Sequence, residues 1–138
     1  MGKVYTYLRN FCNILVGMWS YSQSTGELVD ALGEVIGSGY SGLGADKNNP
    51  SAENVQGEGP IPLGLWNIGP AQTLPRLGSV VMALTPDPAT DTLGRSGFFI
   101  HGDSLVHPGD ASHGCIILPR DIRIAISLSP DKLLNVTA

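Results

Sequence analysis

Along most of the chain, short apolar runs and stretches of strict apolar–polar alternation are broken by Gly, Pro, Asn and Asp. Alternation with period two is the mark of a half-buried strand, and brief apolar runs between turn residues mark a buried one. Residues 19–23 alternate, are followed by Ser24-Thr25-Gly26 and then by 27–29, and so predict a hairpin. Further strands are expected at 34–40, 64–69, 79–85, 96–101 and 115–118, with 132–136 as a closing strand. Only 120–128 reads as a helix: Pro119 initiates it, and Ile122, Ile124, Ala125 and Leu128 offer an apolar face. Residues 41–59 are rich in Gly, Asn, Pro and acids with little periodicity, which predicts a long loop, either functional or a surface excursion. The pattern as a whole is mainly β with one short helix, and it contains no internal repeat.

Composition narrows this picture. A chain of 138 residues with 42% apolar content forms one core, and 18 glycines and 10 prolines require many turns. A net charge of -4 with 8 Lys and Arg, none in a run, excludes the concentrated basic surface that nucleic acid needs. No segment approaches the roughly 18 apolar residues of a membrane span, so no membrane partner is expected. Residues 1–17 read as an N-terminal extension and 18–138 as the main domain, with Met18 an alternative start. Lys3 and Arg9 before the apolar run 11–16 imitate a secretory leader, but Asn13 interrupts the run and no small-residue cleavage site follows, so a signal peptide is rejected. Cys12 and Cys115 have no framework spacing, which argues against a disulfide and leaves Cys12 as a buried apolar residue.

The candidate chemistry lies in 98–120, which holds all three histidines. A thiol becomes a nucleophile at neutral pH when an imidazole takes its proton, and Cys115 has His113 two residues back and His101 fourteen back. The run 98–100 places His101 at a strand end, and a polar loop with Pro108 and Gly109 leads to a second apolar run directly after the cysteine. Two strands joined by that loop bring His101 beside Cys115, so His101 is the expected base and His113 a supporting residue. The N–H groups of Gly114 and Cys115 form the candidate oxyanion hole, with glycine allowing close backbone approach. The Gly102 carbonyl is the expected partner that orients His101. Asp103 and Asp110 read as loop residues, with Asp103 also able to orient an imidazole.

Ser112-His113-Gly114-Cys115, preceded by His101-Gly102, resembles the active-site signature of the L,D-transpeptidases with the YkuD-type catalytic domain, which act on peptidoglycan stem peptides. The turn and strand Pro60-Ile61-Pro62-Leu63-Gly64-Leu65-Trp66-Asn67-Ile68 is also similar to that family. The segment 19–28, the turn Gly39-Tyr40-Ser41-Gly42, Lys47-Asn48-Asn49-Pro50 and the stretch 97–118 resemble the small L,D-transpeptidase-like effectors of type VI secretion systems. The resemblance implies a compact β-sandwich or barrel that cuts or exchanges the residue after meso-diaminopimelate in tetrapeptide stems. It implies Cys115 and His101 as catalytic residues, Ser112 in support, and Tyr40, Ser41 and Asp103 towards the substrate. It further implies manufacture in the cytoplasm, export to the periplasm of a target bacterium, secretion-system partners and a cognate immunity protein, with no cofactor. Two features depart from it. The spacer from His101 to Ser112 is short, and Ile117 stands where an arginine is common, leaving Arg120 and Arg123 open as substitutes.

Two other classes remain at the level of the residues. His101, His107, His113 and Cys115 supply enough ligands for a zinc-binding protein, although their spacing matches no familiar zinc motif. A catalytically inactive peptidoglycan-binding module would keep the fold without turnover.

Overall fold

The computed structural model describes residues 5–7 and 15–138. The described strands are β1 (Tyr5–Tyr7), β2 (Leu15–Ser22), β3 (Glu27–Val29), β4 (Val35–Ser38), β5 (Tyr40–Ser41), β6 (Gly64–Leu74), β7 (Gly78–Pro86), β8 (Phe98–His101), β9 (Ile116–Ile117) and β10 (Leu133–Thr137). One helix, α1 (Arg120–Leu128), follows β9, and two single 3-10 turns lie at Gly44–Asp46 and Pro50–Ala52. Mainly β with one helix after Cys115 is the architecture expected from the pattern. Cys12 and the leader-like segment around Asn13 lie outside the described residues. β2 itself runs across the expected division at residue 18, and β1 pairs with its first half.

The strands form one sheet in the order β4-β3-β2-β10-β6-β7-β8-β9-β5, with β1 beside β2. The pairs β2–β10 and β8–β9 are parallel and the others antiparallel. The two ends of that order, β4 and β5, are consecutive in the chain and separated by Gly39 alone. Strands that close in sequence cannot sit at opposite edges of a flat sheet, so this one curls towards closure as a barrel does. Gly39 fits the seam because its N–H donates to the Gly26 carbonyl at 2.9 Å and a Cβ there would overlap the Ile117 carbonyl.

The inward faces of the curled sheet make the core. Trp19, Tyr21, Leu28, Trp66, Ile68, Met82, Leu84, Phe98, Ile100, Ile116, Leu118, Leu134 and Val136 are buried there, and the Trp66 and Phe98 rings meet edge to face at 5.1 Å. α1 adds Ile122 and Ile126, four residues apart on one face. The expected helix face is corrected here: Ile124, Ala125 and Leu128 are exposed, and the buried stripe also carries Arg123. No helix among the described residues is long and apolar enough to cross a membrane.

Candidate active site

The parallel pairing of β8 and β9 sets Ile100 level with Ile116 and His101 level with Ile117. Side chains alternate along each strand, and Phe98, Ile100, Ile116 and Leu118 belong to the core. Phe99, His101 and Ile117 therefore share the opposite face, and Cys115 stands immediately before β9. Extending the register one residue before β9 sets Cys115 level with Phe99, two residues before His101 along β8. The His101 Nδ1 lies 2.8 Å from the Gly102 carbonyl oxygen. A carbonyl only accepts, so Nδ1 carries the proton and Nε2 keeps the lone pair. Burial holds the imidazole below its usual pKa; the Gly102 carbonyl opposes this, Arg123 adds to it and Asp103 opposes it. At neutral pH the ring is thus uncharged, with its basic nitrogen free of Gly102.

The Cys115 thiol has its nearest acceptor in the Gly97 carbonyl, 3.7 Å away. Burial raises its pKa, while the Phe99 amide and the Arg95 guanidinium pull it down. The resting pair is consequently a neutral thiol and a neutral imidazole, not a preformed ion pair. The loop before the cysteine is organised by Ser112, whose hydroxyl donates to the Cys115 carbonyl at 2.6 Å and accepts from the Gly42 and Gly114 amides at 2.8 and 3.1 Å. One donor and two acceptors are the full capacity of a hydroxyl. The Gly114 N–H, expected in the oxyanion hole, donates to Ser112 here. What Gly114 supplies is conformation: its φ is 139°, and a Cβ would come within 2.5 Å of Arg95 Nη2 and 2.9 Å of Phe98 Cε1.

The other expected residues take structural positions around this centre. Ser41 is fully buried, with its hydroxyl donating to the Gly114 carbonyl and accepting from the Ile61 amide, both at 2.9 Å, so the expected substrate contact is corrected to a loop anchor. Tyr40 donates to Asp103 Oδ1 at 2.6 Å and accepts from the Ala111 amide at 3.0 Å. Burial and the Asp103 bond push the Tyr40 pKa up to about 12. Burial works against the Asp103 carboxylate, yet Tyr40, the Gly109 and Ser104 amides and Lys47 hold its pKa below the usual value. His113 is exposed, with Nδ1 2.9 Å from the Gly57 carbonyl. Arg120 and Arg123, the possible substitutes for an arginine at 117, both reach the start of β7: Arg120 Nη1 donates to Ser79 Oγ at 2.6 Å and Arg123 Nη1 to the Ser79 carbonyl at 2.7 Å. Gly102 makes room for Arg123, whose Nη2 would lie 2.7 Å from a Cβ there.

Three cavities surround this face. His101 and His107 line one of about 850 Å³, Cys115 and His113 one of about 260 Å³, and Tyr40, Ile117 and Arg123 one of about 480 Å³. His101 and His107 thus open to one cavity and His113 and Cys115 to another, a division that holds for the pair His101 and Cys115 as well as for the four residues considered for zinc. Among the described residues no three His, Cys, Asp or Glu side chains converge to hold a metal ion.

Sequence reasoning missed Arg95. It sits in a polar loop where an arginine reads as solvated, yet it is buried against the 53–60 segment and stacks on Phe98 with its guanidinium carbon 5.2 Å from the ring centre. Its partners are backbone carbonyls, which leave no trace in residue identity. The 41–59 loop is likewise packed on the site: Gln56 Nε2 donates to the Gly94 carbonyl at 3.2 Å, and the Leu43 amide to Glu58 at 2.8 Å.

With this geometry in view, the comparisons with known proteins fall into place. The model of the Tlde1 domain matches residues 36–133, a span that contains every residue named above as part of the site. The chain belongs to the Tlde1-domain family. That family comprises type VI secretion effectors of the L,D-transpeptidase kind. The match opens in β4 and closes at the start of β10, so it covers β8, β9 and α1. A comparison with curated proteins yields no match.

Proposed function

We propose that this chain is a peptidoglycan stem-peptide L,D-carboxypeptidase or L,D-transpeptidase with Cys115 as nucleophile and His101 as general base. The observation that supports the reading is the β8–β9 pairing with the Gly102 bond: an imidazole with its proton on Nδ1 at the end of β8, and a thiol immediately before the strand paired with it. Hydrogen bonds of this type are commonly long before substrate arrives and tighten in the complex. On binding a tetrapeptide stem, the thiol proton passes to Nε2 and Sγ attacks the carbonyl at the L-centre of meso-diaminopimelate. The tetrahedral oxyanion takes the Cys115 N–H. The C–N bond to D-alanine then breaks, and His101 returns its proton to the departing amine. Water resolves the thioester to a shortened stem, or an amine resolves it to an exchanged or cross-linked one. His113, Ser112, Tyr40 and Asp103 hold the loops that frame these steps, and no cofactor takes part.

Mature peptidoglycan is absent from the cytoplasm, so the protein made there without export should leave its host unharmed. Directed to the periplasm by a fused signal, it should arrest growth and shorten tetrapeptide stems. Both effects should vanish with Cys115→Ala and be relieved by a cognate immunity protein. Growth curves of the cytoplasmic, periplasmic and Cys115→Ala forms together with muropeptide profiles test this, and a periplasmic form that changes neither growth nor profile would overturn the reading.

A further inference from the structure

Arg95 is 5% exposed as a residue, and its described side-chain hydrogen bonds go to neutral carbonyls. Nη1 donates to Glu53 at 2.6 Å and Pro60 at 2.7 Å, and Nη2 to Gly59 at 2.9 Å and His113 at 3.2 Å. Burying a charge without an ionic partner is costly, and buried arginines are normally matched by a carboxylate. Of the two acids in the segment that supplies most of these carbonyls, Glu58 is exposed and Glu53 turns its carboxylate elsewhere: Oε1 accepts from Gln23 Nε2 at 3.2 Å and from the Leu63 amide at 2.9 Å. Phe98 covers one face of the guanidinium. On the remaining side lie Gly114, without a side chain to intervene, and the Cys115 thiol, which shares the 260 Å³ cavity with Arg95.

We propose that Arg95 is a positioning residue for the nucleophile: the ring of carbonyls fixes its guanidinium so that the counter-ion it lacks is the Cys115 thiolate, formed when the thiol proton leaves for His101. The mutual influence has the required sign. Burial lowers the Arg95 pKa and the thiol and Glu53 raise it, while among the effects on the thiol, the largest is burial, which raises its pKa, and Arg95 acts against it. The titratable groups that share the cavity with the thiol are Arg95 from the loop before β8 and His113 from the loop before β9, with Glu53 behind Arg95 and His101 at the end of β8. The same arrangement explains why Gly114 admits no side chain, since a Cβ would displace the guanidinium.

The proposal rests on Cys115 being the nucleophile, and its test reads the thiol without any substrate, so its failure is distinguishable from failure of the peptidoglycan assignment. The rate of Cys115 alkylation by iodoacetamide is followed against pH in the wild type, Arg95→Gln, Arg95→Lys and Ser41→Ala. Arg95→Gln should move the alkylation midpoint up by about one pH unit, a tenfold loss of thiolate at a given pH below it. Arg95→Lys should keep the midpoint near that of the wild type although its melting temperature falls with the lost fork. Ser41→Ala, which loosens the same loop without a change of charge, should lower the melting temperature and leave the midpoint in place. If Arg95→Gln does not fold, Cys115→Asp and Cys115→Ser are compared by thermal melting at pH 7. A fixed carboxylate beside Arg95 should make the Asp variant at least as stable as the Ser variant. An unshifted midpoint in Arg95→Gln, an equal shift in Arg95→Lys and Arg95→Gln, or an Asp variant less stable than Ser at pH 7 would overturn the proposal.

Discussion

At the residue scale the site depends on groups whose bonding capacity is filled. Ser112 satisfies two amides and one carbonyl with a single hydroxyl. Ser112→Ala strands those groups and should cost about 1–3 kcal/mol by urea unfolding, with slower cleavage of tetrapeptide stems. His101 titrates below an ordinary imidazole because it is buried and close to Arg123. Only its neutral form accepts the thiol proton, so activity rises as pH climbs through this lowered value. The acid limb of kcat/KM should therefore have its midpoint below the usual histidine value of about 6.5, and should disappear with His101→Ala because turnover does. The motif around Cys115 and the orienting role of Gly102 were legible because they lie in consecutive residues. Arg95 and the burial of Ser41 were not, since both are defined by carbonyls and amides brought from distant segments.

At the element scale, alternation located the strands well, because one face of each is buried. Residues 79–85 became Gly78–Pro86, and 120–128 is the helix observed. Two elements departed for physical reasons. The strand expected at 34–40 splits at Gly39, since its halves pair at opposite ends of the sheet order. β6 continues to Leu74 past Pro70, where exposed polar residues hide the pairing with β7 and register shifts interrupt the ladder. The helix face was misread because Leu128, apolar but four-fifths exposed, lies off the Ile122–Ile126 stripe. The loop 103–111 is held by Asp103, which accepts from Tyr40, Ser104 and Gly109. Its folded pKa lies below the unfolded value, so this anchoring is complete above the ordinary carboxylate pKa of about 3.9 and lost as pH falls through the lower folded value. Amide exchange at Ser104 and Gly109 should accelerate over that acid range, and Tyr40→Phe should accelerate it at Gly109 and Ala111 already at neutral pH.

At the scale of the whole molecule, curling brings β4, β5 and β9 together at Gly39 and so carries Tyr40 to Asp103. A methyl group at this seam meets the Ile117 carbonyl. Gly39→Ala should lower stability by about 1–3 kcal/mol in urea and weaken catalysis, because the strand it displaces borders the nucleophile. The mainly β class and the order of elements follow from the pattern, whereas closure depends on which edges meet, a property no single segment encodes. The central claim is a thioester on Cys115, and intact-protein mass spectrometry during incubation with tetrapeptide stems tests it most directly. The wild type should carry a transient adduct equal in mass to the acyl tripeptide portion, mapped to Cys115 and absent from Cys115→Ala. Release of D-alanine by Cys115→Ala at a rate near that of the wild type would contradict the account.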